Sequence, residues 1–156
     1  MHKVLMATVP LGLLLAGCAG GYPHYPGGDG HAYRVTRTGG ETDYELMDRV
    51  LFANDSADLG PRAYEAVADI AADARSHPRA GIEVDGFTDT TGAPDHNMEL
   101  SRARAMAVAD VLARHGVDSR RIQARGFGET RLAVNTADQV SEPRNRRVVI
   151  RIFVPS

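Results

Sequence analysis

The stretch "GFTDTTGAPDHNMELSRARAMAVADVLARHG", residues 86–116, reads as a loop followed by one long helix. Pro94 suits a first helical turn and Gly116 closes the run, so the spacing predicts a helix from about Pro94 to His115. At about 100° per residue, Leu100, Ala103, Ala107, Val108, Val111 and Leu112 form one apolar stripe. Arg104 falls near the middle of that stripe, with Asn97 close beside it. A guanidinium stays charged at any ordinary pH, and a charge facing a core is costly unless something pairs with it. Arg104 therefore demands a partner.

Asn97, Ser101, Arg104 and Val108 follow i, i+4, i+7 and i+11 spacing, which places three polar side chains on one ridge near the helix N-terminus. That end presents unpaired backbone N–H groups and favours an anion. Asp89 lies in the loop just before, fifteen residues ahead of Arg104. Two arrangements satisfy the guanidinium. One is an internal salt bridge to Asp89 that fixes the strand–helix connection. The other is a half-open site for a zwitterion, in which Asp89 receives an ammonium and Arg104 grips a carboxylate in a bidentate fork. Asn97, both donor and acceptor, would orient such a ligand. The two overlap, since an Asp–Arg pair can be the resting state of the ligand site.

Outward from this helix the pattern is regular. "GIEVDGF" (81–87) alternates with the period of a strand, setting Ile82, Val84 and Gly86 on one side. "PRAYEAVADIAADARSH" (61–77) starts with proline, repeats apolar residues at Ala63, Val67, Ile70, Ala71 and Ala74, and stops at Pro78. "YELMDRVLF" (44–52) reads as a strand ending in Val50, Leu51 and Phe52. "RIQARGFG" (121–128) is a short strand, and "NRRVVIRIFV" (145–154) another, with Val148, Ile150, Ile152 and Val154 facing one way. The order is β-α-β-α-β-β, an α+β class in which two helices pack on one face of a small mixed sheet.

The 156-residue chain holds one ordinary domain of residues 43–156 behind a leader and a tail. "MHKVLMATVPLGLLLAGC" has one lysine and then an apolar run, Val4–Ala16, that as a helix would span only about 20 Å, too short for a bilayer. It has the proportions of a secretory signal, residues 1–17. Leu15-Ala16-Gly17-Cys18 resembles the lipobox of bacterial lipoproteins, and Cys18 is the chain's single cysteine, so it has no intramolecular disulfide partner. Lipidation at Cys18 is the expectation. Residues 18–42 are then the lipidated cysteine and a Gly-rich tether without helical or strand period, about 80 Å long if fully extended.

A net charge of −2 gives no basic field for nucleic acid, so nucleic acid is not among the expected partners. His24 and His31 in the tether lack further ligands at fixed spacing, so neither a metal nor any other cofactor is expected. Asp95, His96 and Ser101 adjoin the ridge, but no triad order, HExxH or second cysteine supports catalysis, and the chain does not read as an enzyme.

Three ordered motifs carry a family resemblance. "GFTDTTGAPDHNMELSRARAMAV" resembles the OmpA-like C-terminal domain pattern, a Gly, an aromatic or His, Thr-Asp, a Gly, then N-x-x-L-S-x-x-R-A. "LFANDSADL" resembles its opening strand and turn, and "GFGETRLAVNTADQVSEPRNRRVVI" its closing segment with N-R-R-V. With the lipobox, the whole is similar to the peptidoglycan-associated lipoproteins. The resemblance implies noncovalent binding of peptidoglycan through the diaminopimelate of the stem peptide, with the family's Asp and Arg on Asp89 and Arg104. It also implies roles for Asn97 and Thr88, for Asn54 and Asp55 from the opening turn, and for Arg146 from the closing motif. Ala53 stands where the family often has an aspartate, which removes one carboxylate. Phe87 replaces the common His, and this argues against a titrating imidazole there. The implied setting is the outer membrane, lipid-anchored, with the domain facing the periplasm and tethering membrane to wall. The alternative is a cell-wall anchor subunit of a larger envelope complex with protein partners of its own.

Overall fold

The computed structural model describes residues 32–47, 51–52 and 55–154. Its elements are β1 (Tyr33–Thr38), β2 (Glu41–Met47), α1 (Pro61–Ser76), β3 (Gly81–Phe87), α2 (Pro94–Arg114), a 3-10 turn (Ser119–Arg121), β4 (Ile122–Gly126) and β5 (Arg147–Phe153). They form an α+β domain around a five-stranded sheet in the order β1-β2-β5-β3-β4. All pairs are antiparallel except β3 with β4, which α2 connects as a parallel crossover.

Alternation decides which face is which. Tyr44 and Leu46 of β2, Ile82 and Val84 of β3, and Val148, Ile150 and Ile152 of β5 point inward to one core with both helices. α1 contributes Ala63, Ala66, Val67, Ile70, Ala71 and Ala74, a stripe at helical spacing. The Tyr44 hydroxyl donates to Asp73 Oδ2 of α1 at 2.6 Å, tying helix to sheet. The opposite face carries charge: Arg151 pairs with Asp43 at 2.9 Å and reaches Glu83 at 3.7 Å, while Arg125 pairs with Glu83 and Asp85.

α2 lies closest to the sheet where β3 and β4 present glycines in register, Gly86 opposite Gly126. A Cβ on Gly86 would stand 2.1 Å from the Ser101 carbonyl oxygen, and one on Gly126 2.4 Å from the Arg102 nitrogen. The helix backbone rests on this bare spot, which presses its N-terminal half, and the polar ridge on it, against the sheet.

The structure corrects the sequence reading at the front of the domain. The tether expected over residues 18–42 contains β1 and the start of β2, so the sheet starts ahead of residue 43 and the fold has one strand more than β-α-β-α-β-β. Gly39 and Gly40, with φ of +57° and +92°, form a two-residue turn of the kind that joins twisted antiparallel strands. Only Val35 among the residues of β1 is aliphatic, too weak an alternation to register as a strand. The strand expected over 44–52 ends at Met47, and Phe52 makes only an isolated bridge to Leu59. Val154, expected to face inward with Val148, Ile150 and Ile152, lies one residue past the end of β5 and is exposed. The expected signal segment and lipobox fall outside the described residues.

Candidate functional site

Every polar residue of the α2 ridge is buried. Asn97, Ser101 and Arg104 sit on the inward face with Ala105, Val108, Val111 and Leu112, whereas Leu100 is half-buried and Ala103 exposed. The buried stripe is thus centred on the polar ridge itself. Of the expected apolar stripe, Val108, Val111 and Leu112 meet the core, while Leu100 and Ala103 lie at its edge.

A half-open cavity of about 470 Å³ lies at the N-terminal end of α2. It is lined by Thr88 and Asp89 from the β3–α2 loop, Asn97 and Arg104 from the helix, Asp55 from the segment before α1, and Arg146 from the segment before β5. Six of the seven ligand residues implied by the sequence therefore converge on one space. The seventh, Asn54, lies outside the described residues. Asp89 and Arg104 are only 4% and 3% exposed, so two opposite charges are held out of bulk water around the same opening.

The expected ion pair is made by a different guanidinium. Arg146 Nη1 donates to Asp89 Oδ2 at 2.5 Å. The same carboxylate accepts the backbone N–H of Glu142 at 3.2 Å on Oδ2 and that of Thr91 at 3.1 Å on Oδ1. Burial pushes the Asp89 carboxyl up, but the Arg146 hydrogen bond and the two backbone donors outweigh it and hold it below the usual carboxylate range. Arg104 donates from Nε to the Ser56 carbonyl at 2.9 Å and lies over the Phe52 ring, 5.0 Å from its centroid. Its planar group is thereby fixed from the opening segment, a route that spacing along α2 does not reveal.

The three residues of the closing Asn-Arg-Arg run part company. Asn145 is fully buried; its Nδ2 donates to the Val134 carbonyl at 2.9 Å and its Oδ1 accepts the Val134 N–H at 2.8 Å. Arg146 turns to Asp89. Arg147 turns to the outer face, 3.9 Å over Phe87, which itself stacks on Phe127 at 5.3 Å. Phe87 therefore belongs to an aromatic stack behind the sheet, which gives the residue in the common His position a packing role.

Thr90 and Gln139 join the two loops that make the rim. Thr90 Oγ1 donates to the Ala137 carbonyl at 2.7 Å, and Gln139, at φ +59°, exchanges two hydrogen bonds with the backbone of Gly92. At the mouth, His96 Nε2 lies 3.0 Å from Asp55 Oδ1, both groups more than half exposed. Thr88 Oγ1 is the one buried side-chain polar atom among the described residues with no hydrogen-bond partner. Glu129, which accepts from Asn97 at 2.7 Å, is a further residue of the site. Its only trace in the sequence is a place in the closing motif.

A sequence model described as the OmpA family matches residues 51–146, and the chain belongs to that family. It is 33% identical over 123 residues to the "Probable lipoprotein YiaD" of Escherichia coli (strain K12), covering 79% of this chain and 56% of that one. This chain thus spans little more than half the length of that relative. The "Peptidoglycan-associated lipoprotein" of Haemophilus influenzae is 33% identical over 115 residues, 72% of this chain and 75% of its own. Among solved structures, "the cell wall anchor of the T6SS from Pseudomonas aeruginosa" superposes with a TM-score of 0.70 at 27% identity, over 80% of this chain and 89% of that one.

Proposed function

We propose that this domain binds peptidoglycan noncovalently and that its cavity takes the zwitterionic end of diaminopimelate. The observation that carries the reading is the burial of Asp89 and Arg104 around one opening large enough for an amino-acid head group. Asp89 receives the ammonium and Arg104 the carboxylate. Arg146 holds Asp89 in the resting state, and the unpartnered Thr88 hydroxyl finds its partner in the ligand. The names of the relatives, a peptidoglycan-associated lipoprotein and a cell wall anchor, support binding to the wall.

The anchor at the other end is Cys18, lipidated and placed in the outer membrane, with the domain in the periplasm. Each contact with the wall is small, so confinement near a repeating polymer supplies the effective concentration. A second reading, the wall-binding subunit of a larger envelope complex, is favoured by the likeness to the secretion-system anchor.

Sedimentation with purified sacculi tests the site. Asp89→Ala and Arg104→Ala are each expected to abolish co-sedimentation while circular dichroism reports an intact fold. Two folded variants that still sediment with the wall overturn the assignment. Release of soluble muropeptides by the wild-type protein overturns the non-enzymatic reading.

A further inference from the structure

Resting on the peptidoglycan reading above, we infer that Glu129 is a positioning residue that turns Asn97 into a pure acceptor. The pocket then reads the ammonium of its ligand twice, through the Asp89 carboxylate and through the Asn97 side-chain oxygen.

Asn97 is 3% exposed, and its Nδ2 faces three oxygens: Glu129 Oε2 at 2.7 Å, the Thr91 carbonyl at 3.1 Å and the Asp89 carbonyl at 3.3 Å. A primary amide carries two protons on nitrogen and none on oxygen. Turned over, it would set Oδ1 against three acceptors, one of them anionic. Only one orientation is therefore tolerable, and it consumes both N–H protons inside the protein. Asn97 has nothing left to donate to a ligand carboxylate.

What it offers the cavity is Oδ1, which no hydrogen bond engages among the described residues. Gly92 keeps that oxygen uncovered, since a Cβ there would stand 3.7 Å from it, on a backbone at φ +98°. The labour at the site divides accordingly: Asp89 and Asn97 Oδ1 accept, and Arg104 donates. Of the three contacts that impose this, the one from Glu129 is both shortest and charge-assisted, hence the strongest. Glu129 follows Gly128, whose N–H donates to Ser101 Oγ on the same ridge at 2.8 Å, so the carboxylate is placed by the helix it acts on.

The test uses the full chain with Glu129→Ala and Glu129→Gln, and two probes: a stem peptide ending in diaminopimelate, and the same peptide with 2-aminopimelate, which lacks the distal amine. In ligand-free wild type the Asn97 side-chain amide protons are expected to be protected from exchange, in Glu129→Gln likewise, and in Glu129→Ala to be less protected, held only by the longer contacts to the Thr91 and Asp89 carbonyls. Affinity for the diaminopimelate peptide is expected to fall about ten-fold in Glu129→Ala and to stay within about three-fold in Glu129→Gln, whose carbonyl still accepts. The weaker binding of the 2-aminopimelate peptide is expected to be unchanged by either substitution. Equal losses on both peptides, or a Gln variant as poor as the Ala variant, overturn the inference. An unprotected Asn97 amide in the free protein overturns it without touching the peptidoglycan reading. Wild-type protein indifferent to the diaminopimelate peptide overturns that reading itself, and the ligand assignment with it.

Discussion

Asp89 keeps its charge in a place where burial works against it. Arg146 and two backbone N–H groups supply the difference, so folding favours the carboxylate over its protonated form. The sign follows: the stability it contributes is fully present above the ordinary carboxylate pKa of about 3.9 and is lost as pH falls through the lowered folded value. Wall binding through Asp89 should accordingly be flat from about pH 8 to about pH 5. In Arg146→Ala the largest opposing contribution is gone and only the Thr91 and Glu142 N–H groups remain against burial, so loss of binding should begin at higher pH than in wild type. Sedimentation with sacculi at stepped pH reads both outcomes, and identical midpoints in the two proteins would sink the argument. At this scale the sequence exposed Arg104 as a misplaced charge and Asp89 as the acidic group near it. It offered Arg104 as the partner of the carboxylate and missed Arg146, which lies 57 residues further along the chain and is brought over only by tertiary packing.

Elements meet here through what they lack. Gly86 and Gly126 are opposite one another on neighbouring strands, and the backbone of α2 occupies the space a methyl group would need. Gly86→Ala and Gly126→Ala are each expected to destabilise the domain by about 1–3 kcal/mol or more, read as a lowered urea midpoint at unchanged m-value. The alternation of β3 correctly set Gly86 inward with Ile82 and Val84, but periodicity does not say why the inward residue must be so small. The long segment between β4 and β5 depends on Asn145 in a comparable way. Its amide pairs with both backbone groups of Val134, and Asn145→Ala strands them, at an expected cost of about 1–3 kcal/mol in the same measurement. Wall binding should weaken as well, since that segment delivers Arg146 and the Glu142 N–H to Asp89.

For the whole molecule, a sheet that already includes β1 from Tyr33 shortens the connection to Cys18. Whatever its conformation, the chain between them spans at most roughly 50 Å, against about 80 Å for a tether ending at residue 42. Under the proposed anchoring, Cys18→Ala should release the protein from membranes into the soluble fraction while co-sedimentation with sacculi persists. Loss of both together would mean that lipid and wall binding are not separable functions of this chain. Local signals sufficed for α1, α2, β3 and β5, because proline starts, apolar spacing and strict alternation are short-range properties. They failed at the β1–β2 hairpin, where Gly39-Gly40 was the available clue and the flanking strand was too polar to stand out. What the sequence determined by itself was the helix with a charge on its inward face and an acidic group near it, since a guanidinium on an inward face needs compensation in any fold. What only the tertiary structure decided was who compensates whom: hydrogen bonds select partners by distance and angle, and those exist only once loops remote in the chain close around one cavity.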